Sequence, residues 1–129
     1  MATIERFEDI KAWQTARNLV SAIYRVTAQG QFAKDFCLRD QVRRASVSVM
    51  SNIAEGFERA GTKEFIQFLA VAKGSAGELE SQLYVALDQG YINQEEFASL
   101  RRTVGSTRRL VGGLSSYLRQ SGMKGVKYK

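Results

Sequence analysis

Four glutamates, Glu55, Glu58, Glu78 and Glu80, fall in two helical stretches of the chain. Paired carboxylates inside a helical bundle are the ligand type of di-iron sites, but that site class also needs Glu-x-x-His pairs. This chain has no histidine. The same absence removes the usual general base and the commonest neutral metal ligand. Glu55 and Glu78 are therefore expected to pair with arginines such as Arg43 or Arg44, or to satisfy helix ends, fixing register more than adding stability. Ser46, Ser48 and Ser51 lack a histidine base, and no Ser-x-x-Lys pattern involves them, which argues against nucleophilic catalysis. The glycine spacings fit neither a P-loop nor a Rossmann turn. The reading is of a non-enzyme with no catalytic residue, no cofactor and no metal. Cys37, the only cysteine, reads as a small buried apolar residue without a disulfide partner.

The basic residues carry the stronger signal. The 129-residue chain has net charge +6. Residues 97–129 hold Arg101, Arg102, Arg108, Arg109, Arg119, Lys124, Lys127 and Lys129 and no acid, so the first 96 residues sum to −2. Arg101 and Arg102 recur seven residues later as Arg108 and Arg109. Seven residues are two helical turns, which puts both pairs on one face, occupying the flank of the apolar seam and the side opposite the core, with Arg119 close to the same side. At 1.5 Å per residue, they form a positive stripe about 30 Å long that no acid of this segment offsets. Such a stripe is a track for the phosphates of nucleic acid, and arginine adds bidentate phosphate geometry. Arg39, Arg43 and Arg44 are a second basic group. Asp40 stands among them and Glu55 lies further along, so they read mainly as structural. Trp13 and the phenylalanines fall on seams and read as core rather than as base-stacking platforms.

These residues must be positioned by helices, since no strand pattern appears and the chain has no proline to interrupt one. Periodicity predicts four, at about residues 8–28, 36–59, 63–88 and 94–119. The first buries Ile10, Trp13, Ala16, Val20, Ile23 and Thr27. Residues 28–36 are its longest connection, and Asp35 is expected to cap the second helix. Thr62 is expected to cap the third, whose stripe is Phe65, Leu69, Ala72, Ala76, Leu79, Leu83 and Ala86. Gly74 and Gly77 cost helix propensity, for which close helix–helix approach is the expected compensation. Asn93 and Glu96 form a capping box before the fourth helix, whose seam is Phe97, Leu100, Val104, Thr107, Val111, Leu114 and Leu118.

The second helix has two apolar faces. One runs Leu38, Val42, Ala45, Val49, Ile53; the other runs Val47, Met50, Ala54, Phe57 on the opposite side, and a helix apolar on two sides must be buried on two sides. The predicted class is all-α, an antiparallel up-down-up-down four-helix bundle in one domain spanning 1–129, with a flexible tail at 120–129. No apolar run reaches the length of a membrane span and no signal-peptide core opens the chain, so a cytoplasmic protein without a membrane partner is expected.

The stretch from Phe7 through Trp13 to Ala16 resembles the opening of the bacterial four-helix-bundle proteins associated with intervening sequences in 23S ribosomal RNA genes. Gln41–Ser46 followed by Ser51–Phe57 is similar to that family's most recognisable segment. Glu64–Leu69 and Gly74–Leu83 resemble its third helix. The resemblance implies a bundle that assembles as a ring, typically a homopentamer, and gives Asn52, Glu55, Gly56, Glu78 and Glu80 a structural or assembly role. It also implies kinship with the accessory variability determinant of diversity-generating retroelements, a basic pentameric barrel that binds reverse transcriptase and nucleic acid. A ring built from one repeated heterologous contact would account for the second apolar face as an oligomer seam made by Val47, Met50, Ala54 and Phe57. The expected function is thus a basic, oligomeric nucleic-acid-binding protein, foremost for RNA. The alternative is a retroelement subunit binding a reverse transcriptase and its RNA or DNA.

Overall fold

The computed structural model describes residues 4–59 and 61–121. After a single 3₁₀ turn at Phe7–Asp9 come five helices: α1 (Lys11–Thr27), α2 (Gly30–Lys34), α3 (Phe36–Glu58), α4 (Thr62–Asp88) and α5 (Gln94–Ser121). No strand occurs among the described residues. The basic tail expected at 120–129, with Lys124, Lys127 and Lys129, lies outside them apart from its first two residues.

Each long helix is set by a stripe that recurs at three and four residues and closes on the same core. On α4 that stripe is Phe65, Leu69, Ala72, Ala76, Leu79, Leu83 and Ala86, all buried as expected. On α5 the seam is likewise buried, with Leu114 packed at its edge. Full burial of a leucine such as Leu69 or Leu79 contributes roughly 1.5–3 kcal/mol. The bundle closes cyclically: α1 packs on α3 and α5, and α4 packs on α3 and α5. Cross-contacts run in opposite order along α3 and α4: Gly56 lies against Phe65 and Phe68, Ser48 meets Ser75, and Gln41 meets Gln82.

Helix ends follow the capping residues. The Leu38 amide donates to Asp35 Oδ1 at 3.0 Å, the cap expected for α3. Asn93 and Glu96 exchange bonds of 2.8 and 2.9 Å to each other's backbone amides, a complete capping box. Gly90 ends the α4 terminus at φ +75°, where a side chain would be strained. Gly61, however, occupies the N-cap of α4, and Thr62 is its first helical residue rather than a cap.

The connection at 28–36 is not an open loop. Gly30, at φ +54°, starts α2, and this single turn drives Phe32 into the core against Tyr91, ring centroids 5.3 Å apart. The Tyr91 hydroxyl donates to Asp35 Oδ2 at 2.9 Å, so one carboxylate both caps α3 and holds the α4–α5 connection. The Leu38 amide, and after it the tyrosine hydroxyl, stabilise the Asp35 carboxylate and lower its pKa; the carboxylate in turn raises that of Tyr91.

The second face of α3 is only partly free. Val47 is 37% exposed, while Met50 and Ala54 are half-buried against the core. Phe57 does not belong to an exposed seam: it is 5% exposed and meets Phe65 edge-on at 6.1 Å. The last turn of α3 faces α4 closely enough to bury it. Cys37 is exposed rather than buried, accepting a bond from the Gln41 amide group at 3.2 Å. Phe36, beside it, is also exposed, unlike the other phenylalanines of the seams. Gly74 and Gly77 do not serve close packing within the chain, because a Cβ at either would meet nothing within 4 Å. Gly56 does: a Cβ there would stand 2.7 Å from Phe68 Cβ and 2.8 Å from Phe65 Cδ1.

Candidate nucleic-acid interface

The α5 arginines surround one residue. On a helix the surface neighbours of residue i lie at i±3 and i±4. For Gly105 those four neighbours are Arg101, Arg102, Arg108 and Arg109. Together with Phe97 and with Glu80 of α4 they line an open groove of about 790 Å³ along α5. The helix runs unbroken beneath it, although a glycine in a helix interior costs about 0.5–1 kcal/mol relative to alanine.

Charge counting along α5 alone misses one acid. Glu80, reaching across from α4, accepts from Arg101 Nε at 2.9 Å through Oε2 and from Arg108 Nη1 at 2.6 Å through Oε1. The stripe is therefore not wholly uncompensated. The two pairs are a tie between α4 and α5, with Glu80 side chain 20% exposed and the arginines more so. Surface pairs of this kind are worth about 0–1 kcal/mol each, so their larger effect is to orient two guanidinium groups. Arg101 also lies 5.7 Å over Tyr84, which packs edge-on against Phe97 at 4.8 Å. Arg102 and Arg109 have no acidic partner among the described residues. Arg109 Nη2 donates weakly to Ser106 Oγ at 3.3 Å. Arg119 is exposed in the last turn of α5, eleven residues beyond Arg108 and so on nearly the same side.

The other basic group is engaged. Arg39 pairs with Asp40 at 3.0 Å, donates to the Ala33 carbonyl at 3.2 Å and lies over Phe36. Arg43 donates to Thr27 Oγ1 at 2.8 Å with its guanidinium 4.4 Å over Tyr24. Both side chains link parts of the fold. Arg44 is exposed and lines a cleft with Tyr24 and Val47.

The motif residues of α3 and α4 bond within their own helices and across to neighbouring ones. Glu55 pairs with Arg59 one turn on, at 3.0 Å, and not with Arg43 or Arg44. Glu78 accepts from Gln82 of its own helix at 3.4 Å. Asn52 Nδ2 donates to the Ser48 carbonyl at 2.8 Å, and the Ser48 and Ser75 hydroxyls bond at 2.8 Å across to α4. Ser46 is buried and donates to the Arg43 carbonyl. Among the described residues no three His, Cys, Asp or Glu side chains group as a metal site would require, and no helix is long and apolar enough to cross a membrane.

The model of the 23S rRNA-intervening sequence protein family matches residues 8–113. The chain matches no curated protein. Among solved structures it is similar to a protein of unknown function from the S23 ribosomal protein family of Bacteroides thetaiotaomicron VPI-5482. The two superpose with a TM-score of 0.76 at 21% identity, over 81% of this chain and 95% of the other, a likeness of fold.

Proposed function

The chain belongs to the 23S rRNA-intervening sequence protein family, and from that premise we propose that it is a non-catalytic protein of the cytoplasm that binds nucleic acid, RNA foremost, along α5. The observation that carries this reading is the clustering of four arginines around Gly105, with one acid, Glu80, among them. Contacts there would go to phosphates and so would not read sequence. The chain has no histidine to serve as a base near that groove.

The bundle in this reading is up-down-up-down and assembles as a homopentameric ring. Supporting it are the brief links at 59–61 and 89–93, and the outward side chains Val47 on α3 and Val71 and Val85 on α4, which leave apolar surface on two helices for a neighbouring copy. A strictly monomeric mass by light scattering would overturn the ring. Val47→Asp should reduce the mass of the assembly without unfolding the chain.

The binding test is RNA affinity against salt. Reversing Arg101, Arg102, Arg108 and Arg109 to glutamate should weaken binding by orders of magnitude and flatten the log–log slope, by roughly 0.7 for each phosphate of a single strand that is no longer neutralised. An unchanged slope removes α5 from the interface. The retroelement reading, in which the same surface serves a reverse transcriptase and its nucleic acid, predicts in addition that the pure enzyme co-elutes with the ring.

A further inference from the structure

Gly105 stands where packing does not ask for a glycine. A Cβ there would meet only Arg109 Nη1, at 3.5 Å, an ordinary contact, whereas the same atom at Gly56 would collide with two phenylalanines. Alanine would therefore fit and favour the helix. What the missing side chain does leave is an open floor between four guanidinium groups.

Those four groups are not equivalent. Glu80 holds Arg101 and Arg108 through its two oxygens, which fixes two sides of the opening. Arg102 and Arg109 keep their donors free of any acid among the described residues, and the Ser106 hydroxyl stands beside Arg109. Four like charges this close repel one another, and a single carboxylate offsets only part of that. An oxyanion seated between them would offset the rest, and Arg102 and Arg109 have no acid to compete for their donors among the described residues.

We infer that Gly105 is the floor of a seat for one phosphodiester group of a nucleic-acid strand, held by Arg102, Arg109 and Ser106 and framed by the Arg101–Glu80–Arg108 tie. The inference rests on the reading of α5 as the phosphate-binding side and adds to it a defined place and a positioning residue, Glu80. A strand can pass along the groove because it is open to solvent.

The full chain is titrated with a fluorescein-labelled 20-nucleotide single-stranded RNA across a range of salt concentrations. Gly105→Leu fills the floor at unchanged charge, and leucine is a better helix former, so folding is not at risk. The seat predicts at least a tenfold loss of affinity and a salt slope shallower by about 0.7, the share of one phosphate. Ser116→Leu, eleven residues on along the same side but outside the groove, should bind like the unaltered chain. Equal binding by Gly105→Leu and the unaltered chain overturns the seat while leaving the α5 reading standing, as does an equal loss in Ser116→Leu. If the unaltered chain binds no RNA, the α5 reading itself fails. The seat is then judged by NMR with inorganic phosphate. A saturable shift of the Gly105 amide and Arg109 Nε signals that vanishes in Gly105→Leu supports it, and no saturable shift overturns it.

Discussion

Gly56 and Gly105 sit in two helices of one bundle and do opposite things. At Gly56 the absence of a side chain lets α3 approach α4, with Phe65 and Phe68 filling the place a Cβ would take. At Gly105 only Arg109 Nη1 comes within 4 Å of that place, at an ordinary contact distance, and four arginines stand around the gap. One region is closed by packing and carries the fold. The other is held open, and its charges are arranged by an acid from another helix. The lesson is that a helix-weakening residue has to be judged by its surroundings, since the same loss of propensity serves contact in one case and access in the other.

That contrast can be broken by adding one methyl group at each position. Gly56→Ala should lower stability by about 1–3 kcal/mol, because the clash is with the Cβ of Phe68 and the ring of Phe65 rather than with the tip of a flexible chain. Denaturant unfolding checks it, and a neutral result would mean that α3 and α4 can part without loss. Gly105→Ala should do the reverse and raise stability by roughly 0.5–1 kcal/mol in the same experiment.

Glu80→Gln sharpens the comparison from the other side. The tie between α4 and α5 is partly exposed, so its removal should lower stability by no more than about 1 kcal/mol. Its clearer signature is in the arginines. The Nε resonance of Arg101 and the Nη resonances of Arg108 should lose their protection from exchange.

The smallest effect belongs to the Asp35–Tyr91 contact, far from both glycines in sequence. The Asp35 carboxyl titrates lower in the folded chain than in the unfolded one. Its contribution is therefore complete above the ordinary carboxylate range and fades as pH falls through the lowered value. Tyr91 titrates higher when folded, so its share is complete below the ordinary phenol range and is lost as pH rises through the raised value. Tyr91→Phe should shrink the loss of stability between pH 6 and pH 3 relative to the unaltered chain, measured by urea midpoints.

Most of the scaffold could be read without coordinates. The α4 stripe, the α5 seam, the Asp35 cap and the Asn93–Glu96 box all follow from spacing and residue type, because each is a relation within about four residues of a helix. The misreadings share a different cause. Phe57 looked available for a partner until the turn after α3 brought Phe65 against it. Phe32 was hidden in an apparent loop because a five-residue helix is too short to show a period. Gly74 and Gly77 suggested close packing, but a Cβ at either would meet nothing within 4 Å in the chain. Cys37 falls one residue from Leu38, and that step of about 100° is enough to move it from the core to the surface.

By itself the sequence determined the helices, their buried stripes and the placing of four arginines around Gly105, since all of these are consequences of a 3.6-residue period acting on neighbours. Which of those arginines are free was decided only by the tertiary structure. Glu80 lies 21 and 28 residues from Arg101 and Arg108, and no local rule connects them. Packing α4 against α5 brings that carboxylate into the stripe, and so separates two arginines that frame the groove from two whose donors remain unpaired with any acid among the described residues.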